Sequence, residues 1–259
     1  MPEGDTVHLS AKHLNAALQG AKLTRCDIRV PKFATVDLAG ETVHEVASRG
    51  KHLLHRIGDL TLHSHLKMEG SWHLYRPGTA WRRPAHQARA VLSTAEWTAV
   101  GFSLGVTEIV PTAEEESVVG HLGPDLLGAD WDPVEALARL SADPSVPLFV
   151  ALLDQRNLAG IGNVYANELL FLRGQLPTRT VGEAGDLAPI VALAHRLLFA
   201  NRERVERTMT GNTRAGQNAW VYGRAGKPCR RCGTRILAGK LGANELQLRD
   251  TYWCPRCQT

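Results

Sequence analysis

Four of the five cysteines fall in two Cys-x-x-Cys pairs, Cys229 with Cys232 and Cys254 with Cys257. Two thiolates three residues apart on a tight knuckle reach one metal ion at roughly 2.3 Å, and two such pairs complete a tetrahedron. The pattern therefore predicts one structural Zn2+ in a ribbon rather than disulfides. Cys26 stands alone, and burial as a small apolar side chain is its expected fate. A second pattern is Gly160-Ile161-Gly162-Asn163, between two helical stretches. Glycines allow close backbone approach, and a helix N-terminus carrying an Asn side chain attracts phosphate. Taken singly, such a turn is most often only a turn. His63 and His65 alternate on one strand face, but no third ligand accompanies them, so a structural role is expected.

Charge adds weight to a phosphate partner. Residues 200–259 carry twelve Lys and Arg against four Asp and Glu, whereas residues 1–199 carry eighteen against twenty-two. A basic C-terminal end suits a polyanion, because each phosphate neutralised releases condensed counterions. A merely solvated basic surface is the alternative, and a basic ribbon by itself does not distinguish DNA from RNA.

The elements that must position these groups follow from periodicity. Val7, Ala11, Leu14 and Leu18 predict an opening helix, with Asp5 or Thr6 as cap and Gly20 as stop. Short apolar segments follow, among them Thr42–Val46, His52–Ile57, Leu60–His65 and Arg89–Leu92, which read as an antiparallel β-sandwich or barrel. Residues 111–147 are punctuated by five prolines and predict a connection with a helix over Pro133–Leu140. Helices are expected from a Ser145 cap through Leu153, from Asn163 with Tyr165, Leu169 and Leu172 on one face, and from Leu187 to about Arg207. The apolar run Leu148–Leu153 is too short to cross a bilayer, and Pro2, Glu3 and Asp5 occupy the place of a cationic leader, so a cytoplasmic protein is expected.

Three separated segments then resemble one family. Leu153 through Glu168 (LDQRNLAGIGNVYANE) is similar to the helix-two-turn-helix signature of the formamidopyrimidine-DNA glycosylase and endonuclease VIII family, here closest to bacterial endonuclease VIII. The start Met1-Pro2-Glu3-Gly4 and the end, from Val221–Arg224 through Tyr252–Gln258, resemble it too. The resemblance implies an α+β fold, with an N-terminal antiparallel β-sandwich and flanking helix, then a helix-two-turn-helix bundle plus zinc ribbon, and damaged DNA in the cleft between the two parts. The expected boundaries are 1–123 for the catalytic sandwich, 124–146 for the linker, 147–222 for the helical domain and 223–259 for the zinc finger.

The same resemblance implies the chemistry. Removal of Met1 would expose the secondary amine of Pro2, which attacks C1′ of the damaged nucleotide. An α-amino group with a pKa near ~8 is roughly one quarter neutral at pH 7.4, against about 0.1% for a lysine near ~10.4. Loss of the base leaves an iminium that acidifies C2′ for strand-cleaving elimination. Glu3 would shuttle protons. Lys51, in Arg49-Gly50-Lys51-His52-Leu53-Leu54, resembles the hairpin lysine that contacts DNA and assists catalysis. Arg249 resembles the zinc-hairpin arginine that grips the phosphates around the flipped nucleotide, with Asn163 as its companion. The 21 residues between the cysteine pairs make this hairpin longer than the family's, so Lys240 or Arg235 are further candidates for that role. His65 through Gly70 looks like the void-filling loop, with Met68 as the soft wedge and Lys67 beside it. A core Met at a strand end is the alternative reading of Met68. Asp5-Thr6 departs from the family's Pro-Glu, leaving the second N-terminal carboxylate missing or displaced to Asp5.

Thr208–Trp220 is short, where members acting on oxidised purines carry a longer loop, so oxidised pyrimidines are the expected substrates. Ring-opened purines stay open. So do a damage-binding relative without catalysis and, from the ribbon alone, an RNA-binding protein. The expected assembly is a monomer, nucleoid-associated and with no membrane partner.

Overall fold

The computed structural model describes residues 2–259; the fate of Met1 lies outside the described residues. The chain divides into two compact units, Met1–His121 and Leu122–Thr259.

In the first unit, helix α1 spans Gly4–Leu18 and buries Val7, Ala11, Leu14 and Leu18, the stripe that the 3.6-residue period predicts. It starts earlier than Asp5 or Thr6 would cap it. Glu3 is the extended N-cap residue, and the Asp5 carboxylate accepts the Thr6 N–H at 2.7 Å from inside the first turn, where the helix dipole favours an anion. Gly20 then turns the chain at φ +78°, a conformation that glycine takes without a Cβ penalty.

Eight strands follow: β1 (Arg25–Ile28), β2 (Val43–Arg49), β3 (His52–Ile57), β4 (Leu60–His65), β5 (Ser71–Tyr75), β6 (Ala88–Ser93), β7 (Thr98–Phe102) and β8 (Val106–Pro111). They form two antiparallel four-stranded sheets, ordered β1-β6-β7-β5 and β2-β3-β4-β8. Ile28, Ala90, Leu92 and Ala99 of the first sheet share one core with Val43, Val46, Ile57 and Leu62 of the second, and Leu14 and Leu18 of α1 join it. The period-2 alternation thus resolves as a sandwich. Cys26 is half-buried and packs against that core, and burial pushes its thiol pKa up. On the opposite face of the second sheet, Arg56 is held by Glu45 and makes a paired contact with both oxygens of Glu115 at 2.8 Å. This ties the sheet to the segment that runs into helix α2 (Glu116–Val119).

In the second unit, α3 (Pro133–Leu140) is capped by Asp132, whose carboxylate accepts the N–H groups of Val134 and Glu135. Helix α4 covers Leu148–Leu153 with Pro147, not Ser145, at its N-cap. The Ser145 hydroxyl donates instead to Asp143 at 2.6 Å and closes a local turn. Helix α5 runs Asn163–Arg173 and ends at Gly174, φ +71°. Helix α6 runs Ala188–Asn201, shorter than its apolar pattern predicts. The Asn201 side chain accepts from Thr208 N–H and donates to Thr208 O, which folds the chain back before Arg207. Phe149, Leu152, Ile161, Tyr165, Leu169, Ile190 and Leu198 fill the core. Strands β9 (Leu237–Leu241) and β10 (Arg249–Trp253) form an antiparallel hairpin beside the cysteine knuckles. No helix among the described residues is long and apolar enough to cross a membrane.

Candidate functional site

Chemistry-bearing residues gather at one end of the sandwich. Val7 of α1, Leu53 of β3, Leu66 after β4 and Leu104 before β8 share a small buried cluster. That packing sets the first turn of α1, the β2–β3 turn and the loop after β4 around the same apolar patch. Pro2 is half-buried, and Glu3 is buried at the α1 N-cap without giving its side chain to the helix N–H groups. Lys51 sits in the two-residue Gly50-Lys51 turn, where Arg49 pairs with His52 and Gly50 adopts φ +56°. Met68 is 65% exposed at the tip of the loop after β4, which removes the reading of a core methionine. Lys67 precedes it at φ +52° and donates its backbone N–H to His65 Nδ1 at 2.9 Å.

Behind the loop, the imidazoles of His52, His63, His65 and His121 come together with the Glu108 carboxylate, a group of which only His63 and His65 stood out in the sequence. The antiparallel register puts His52 opposite His65 and His63 opposite Glu108. His63 shares a 2.7 Å contact with His52 and a 3.1 Å contact with Glu108. Burial, with cationic neighbours adding to it, holds His52 down to about 3 and His65 down to about 4.

The second unit builds another constellation. Gly162 is the extended N-cap of α5, so Asn163 is the first residue of the helix. One turn later, Asn167 is fully buried. Its Nδ2 donates to Asn163 O at 2.8 Å and to Asp250 O at 3.2 Å, and its Oδ1 accepts the Tyr252 N–H at 2.6 Å. This clamp ties β10 to the start of α5, and Arg249 is exposed at the first position of β10, next to the clamped Asp250. Lys240 pairs with Asp250 across the hairpin, and Arg235 lies before β9. Glu168, also fully buried, accepts the N–H groups of Trp220, Val221 and Tyr222, each at 2.8 Å. Burial raises its pKa against the pull of those three donors. Neither role was read from the sequence. The signal for Asn167 was its i+4 spacing from Asn163, which stacks two amides on one helix face.

The four cysteines of the ribbon converge, with all Sγ atoms within 4.8 Å of one another. Cys232 and Cys254 lie 3.5 Å apart and Cys229 and Cys257 4.0 Å apart. Sulfurs bound at roughly 2.3 Å to one tetrahedral centre would be ~3.8 Å apart, whereas a disulfide needs about 2.05 Å, so the spacing fits a shared metal ion. Hydrogen bonds from Thr234 hold the Cys232 thiol down to about 6, while burial and its thiol neighbours push Cys257 up to about 12. Among the described residues this is the one group with such geometry.

Comparison with known proteins identifies the family. Residues 1–103 match the model of the formamidopyrimidine-DNA glycosylase N-terminal domain. The chain is 56% identical to a Streptomyces coelicolor protein named probable endonuclease 8 2, covering 100% of this chain and 94% of that protein. It is 53% identical to the DNA-(apurinic or apyrimidinic site) lyase Nei2 of Mycolicibacterium smegmatis, covering 100% and 99% respectively. In fold it resembles the Lactococcus lactis Fpg (MutM) structure in complex with DNA containing an oxidized pyrimidine, with a TM-score of 0.80 at 25% identity over the whole of both chains. Full-length identity above one half to such relatives leaves no other assignment: this chain belongs to the formamidopyrimidine-DNA glycosylase and endonuclease VIII family, on its endonuclease VIII side.

Proposed function

We propose that this protein is a bifunctional DNA glycosylase and abasic-site lyase that excises oxidised bases, pyrimidines foremost, and then cuts the strand by β,δ-elimination. The observation that carries the reading is the grouping of Pro2 and buried Glu3 with the Lys51 turn and the exposed Met68 loop around one apolar cluster. The Pro2 amine attacks C1′, the C1′–N bond to the base breaks, and the departing base takes a proton; the amine then loses its own proton and the C1′–O4′ bond opens, O4′ taking a proton, which leaves an iminium at C1′. The resulting iminium draws electrons from C2′, so a base removes the C2′ proton and the 3′ phosphate leaves. A second proton loss expels the 5′ phosphate. Glu3, buried and close in sequence to the nucleophile, delivers and accepts these protons. Lys51 and Lys67 supply positive charge at the same end. Met68 fills the gap left when the damaged nucleotide leaves the stack.

Arg249 and Asn163 are assigned to the phosphates around that nucleotide, and Cys229, Cys232, Cys254 and Cys257 to one structural Zn2+ that fixes the β9–β10 hairpin. The preference for pyrimidines is supported by the Thr208–Trp220 segment. It folds back on itself, with Met209 N–H bonded to Asn218 O at 2.7 Å and Arg230 gripping Gln217, Gly216 and Ala219. A segment so closed has little chain left to reach over a purine. The protein is expected to work as a monomer on nucleoid DNA in the cytoplasm, which light scattering and fractionation check.

Borohydride reduction during incubation with duplexes carrying thymine glycol, 8-oxoguanine or an abasic site tests the assignment. A covalent product mapped to Pro2, strongest with thymine glycol among the damaged bases, is expected. Absence of any adduct and any strand cut, with Met1 shown to be removed, would overturn it.

A further inference from the structure

The loop that carries Met68 is closed on itself and held from outside at one polar point. After buried Leu66 the chain turns through Lys67 at φ +52°, and the Gly70 N–H donates to Leu66 O at 2.9 Å. The turn is so tight that a Cβ on Gly70 would lie 2.4 Å from that same oxygen. Lys67 donates its backbone N–H to His65 Nδ1, again within the turn. Among the described residues, one hydrogen bond reaches Lys67, Met68 or Glu69 from beyond residues 65–70. It comes from Arg83, whose Nη1 donates to Glu69 O at 3.2 Å.

Arg83 is carried on a segment that the first sheet anchors. The Arg82 N–H donates to the Tyr75 hydroxyl at 3.1 Å, and Tyr75 is buried with Val100 and Phe102 of β7. Trp81 meets Phe102 edge-on, ring centroids 5.8 Å apart, and Arg29 lies over the Trp81 ring at 5.5 Å. Pro84 follows at φ −57°, and a proline restricts the backbone of the residue before it. Arg83 is thus fixed from both sides. Its guanidinium has five N–H donors but makes no ion pair among the described residues, so the bond to Glu69 O is not the by-product of a salt bridge.

A side chain that fills a gap in a base stack is pushed back by the bases that would close it. Met68 is exposed at the tip and has no core packing to resist that push. The adjoining carbonyl, Glu69 O, is where Arg83 holds the loop. We propose that Arg83 is a positioning residue for Met68: its bond to Glu69 O braces the loop against the β1-β6-β7-β5 sheet, so that Met68 stays inserted while the damaged nucleotide is out of the stack. The insertion rests on the DNA-repair reading above; the brace does not.

Two measurements on the full-length protein decide the matter. Backbone amide relaxation reads the brace without DNA. Order parameters at Met68, Glu69 and Gly70 are expected to be near ~0.8 in the parent, to fall towards ~0.6 in R83A, and to stay near the parent in R83K, which keeps a cationic donor. Equal values in R83A and the parent would overturn the brace whether or not the protein acts on DNA. The second measurement is kcat/KM for excision of thymine glycol from duplex and from single-stranded DNA. R83A is expected to lower the duplex value about fivefold, to spare the single-strand value and to have no further effect in M68A. R83K should recover most of the loss. A loss that persists in M68A would make Arg83 a phosphate contact in its own right, and an equal loss on both substrates would make it a support of the sheet. Either result overturns the positioning role. A parent protein inactive on every duplex would refute the DNA reading instead, leaving the relaxation result to judge the brace.

Discussion

Asn167 Oδ1 accepts the Tyr252 backbone N–H at 2.6 Å, across 85 residues of chain, while the Nδ2 of the same amide holds Asn163 O and Asp250 O. One buried side chain thereby sets the distance between the start of α5 and the start of β10. N167A should leave the Tyr252 N–H and Asp250 O without this partner, Asn163 O keeping its helical donor, and cost about 1–3 kcal/mol. Affinity for an abasic-analogue duplex is expected to fall while bound zinc stays at one per chain. Unchanged affinity would detach Asn163 and Arg249 from a common phosphate site.

Glu3 separates binding from chemistry. Its side chain is buried at the head of α1 and does not cap the helix. E3Q keeps the shape and removes the proton carrier. Single-turnover base excision should slow by roughly 10²-fold or more, with duplex affinity preserved. Excision at the parent rate would assign proton transfer elsewhere.

Met68 is 65% exposed and contributes nothing to the core, so M68A should leave the thermal midpoint unchanged. On duplex substrate kcat/KM is expected to fall roughly tenfold, or ~1.4 kcal/mol of transition-state stabilisation. A single-stranded substrate has no stack to hold open, so its rate should hold. Equal losses on both substrates would argue against a wedge.

His55 gives a pH signature of folding. It is fully buried against Trp72, ring centroids 4.6 Å apart, and burial lowers its pKa from 6.5 to about 4. The folded state thus binds the neutral ring. The stability this ring contributes is present above pH 6.5 and is lost as pH falls from 6.5 towards 4, by up to about 1.4 kcal/mol per pH unit. H55F should flatten that part of the unfolding profile. Parallel profiles for the two proteins would refute it.

Removing one thiol tests the ribbon. Cys254 is fully buried in a cluster with Phe171, Val221 and Ile236, so C254S should release the metal and loosen that cluster together. Elemental analysis is expected to find one zinc in the parent and less than stoichiometric zinc in the variant, with the helical signal of α3–α6 retained. Full zinc retention in C254S would exclude Cys254 as a ligand.

The sequence by itself determined the elements whose signals are local. The 3.6-residue stripe of α1, the helix over Pro133–Leu140 and the paired Cys-x-x-Cys knuckles each act over a few residues, so local pattern reveals them. Where two local options competed, packing chose between them: Glu3, without a side-chain cap bond, took the N-cap position of α1 in place of Asp5, Pro147 took that of α4 in place of Ser145, and Asn201 ended α6 early. Only the tertiary structure decided what depends on register between distant segments. Glu108 meets His63 because β4 and β8 pair in one alignment, and a slip of one residue in β8 would send Glu108 to the face opposite His63. Asn167 reaches Tyr252, and Glu168 reaches Val221, because α5 is buried on both sides. Such groups look like ordinary polar residues in a string of letters. Their partners exist only once long-range packing has closed the chain around them.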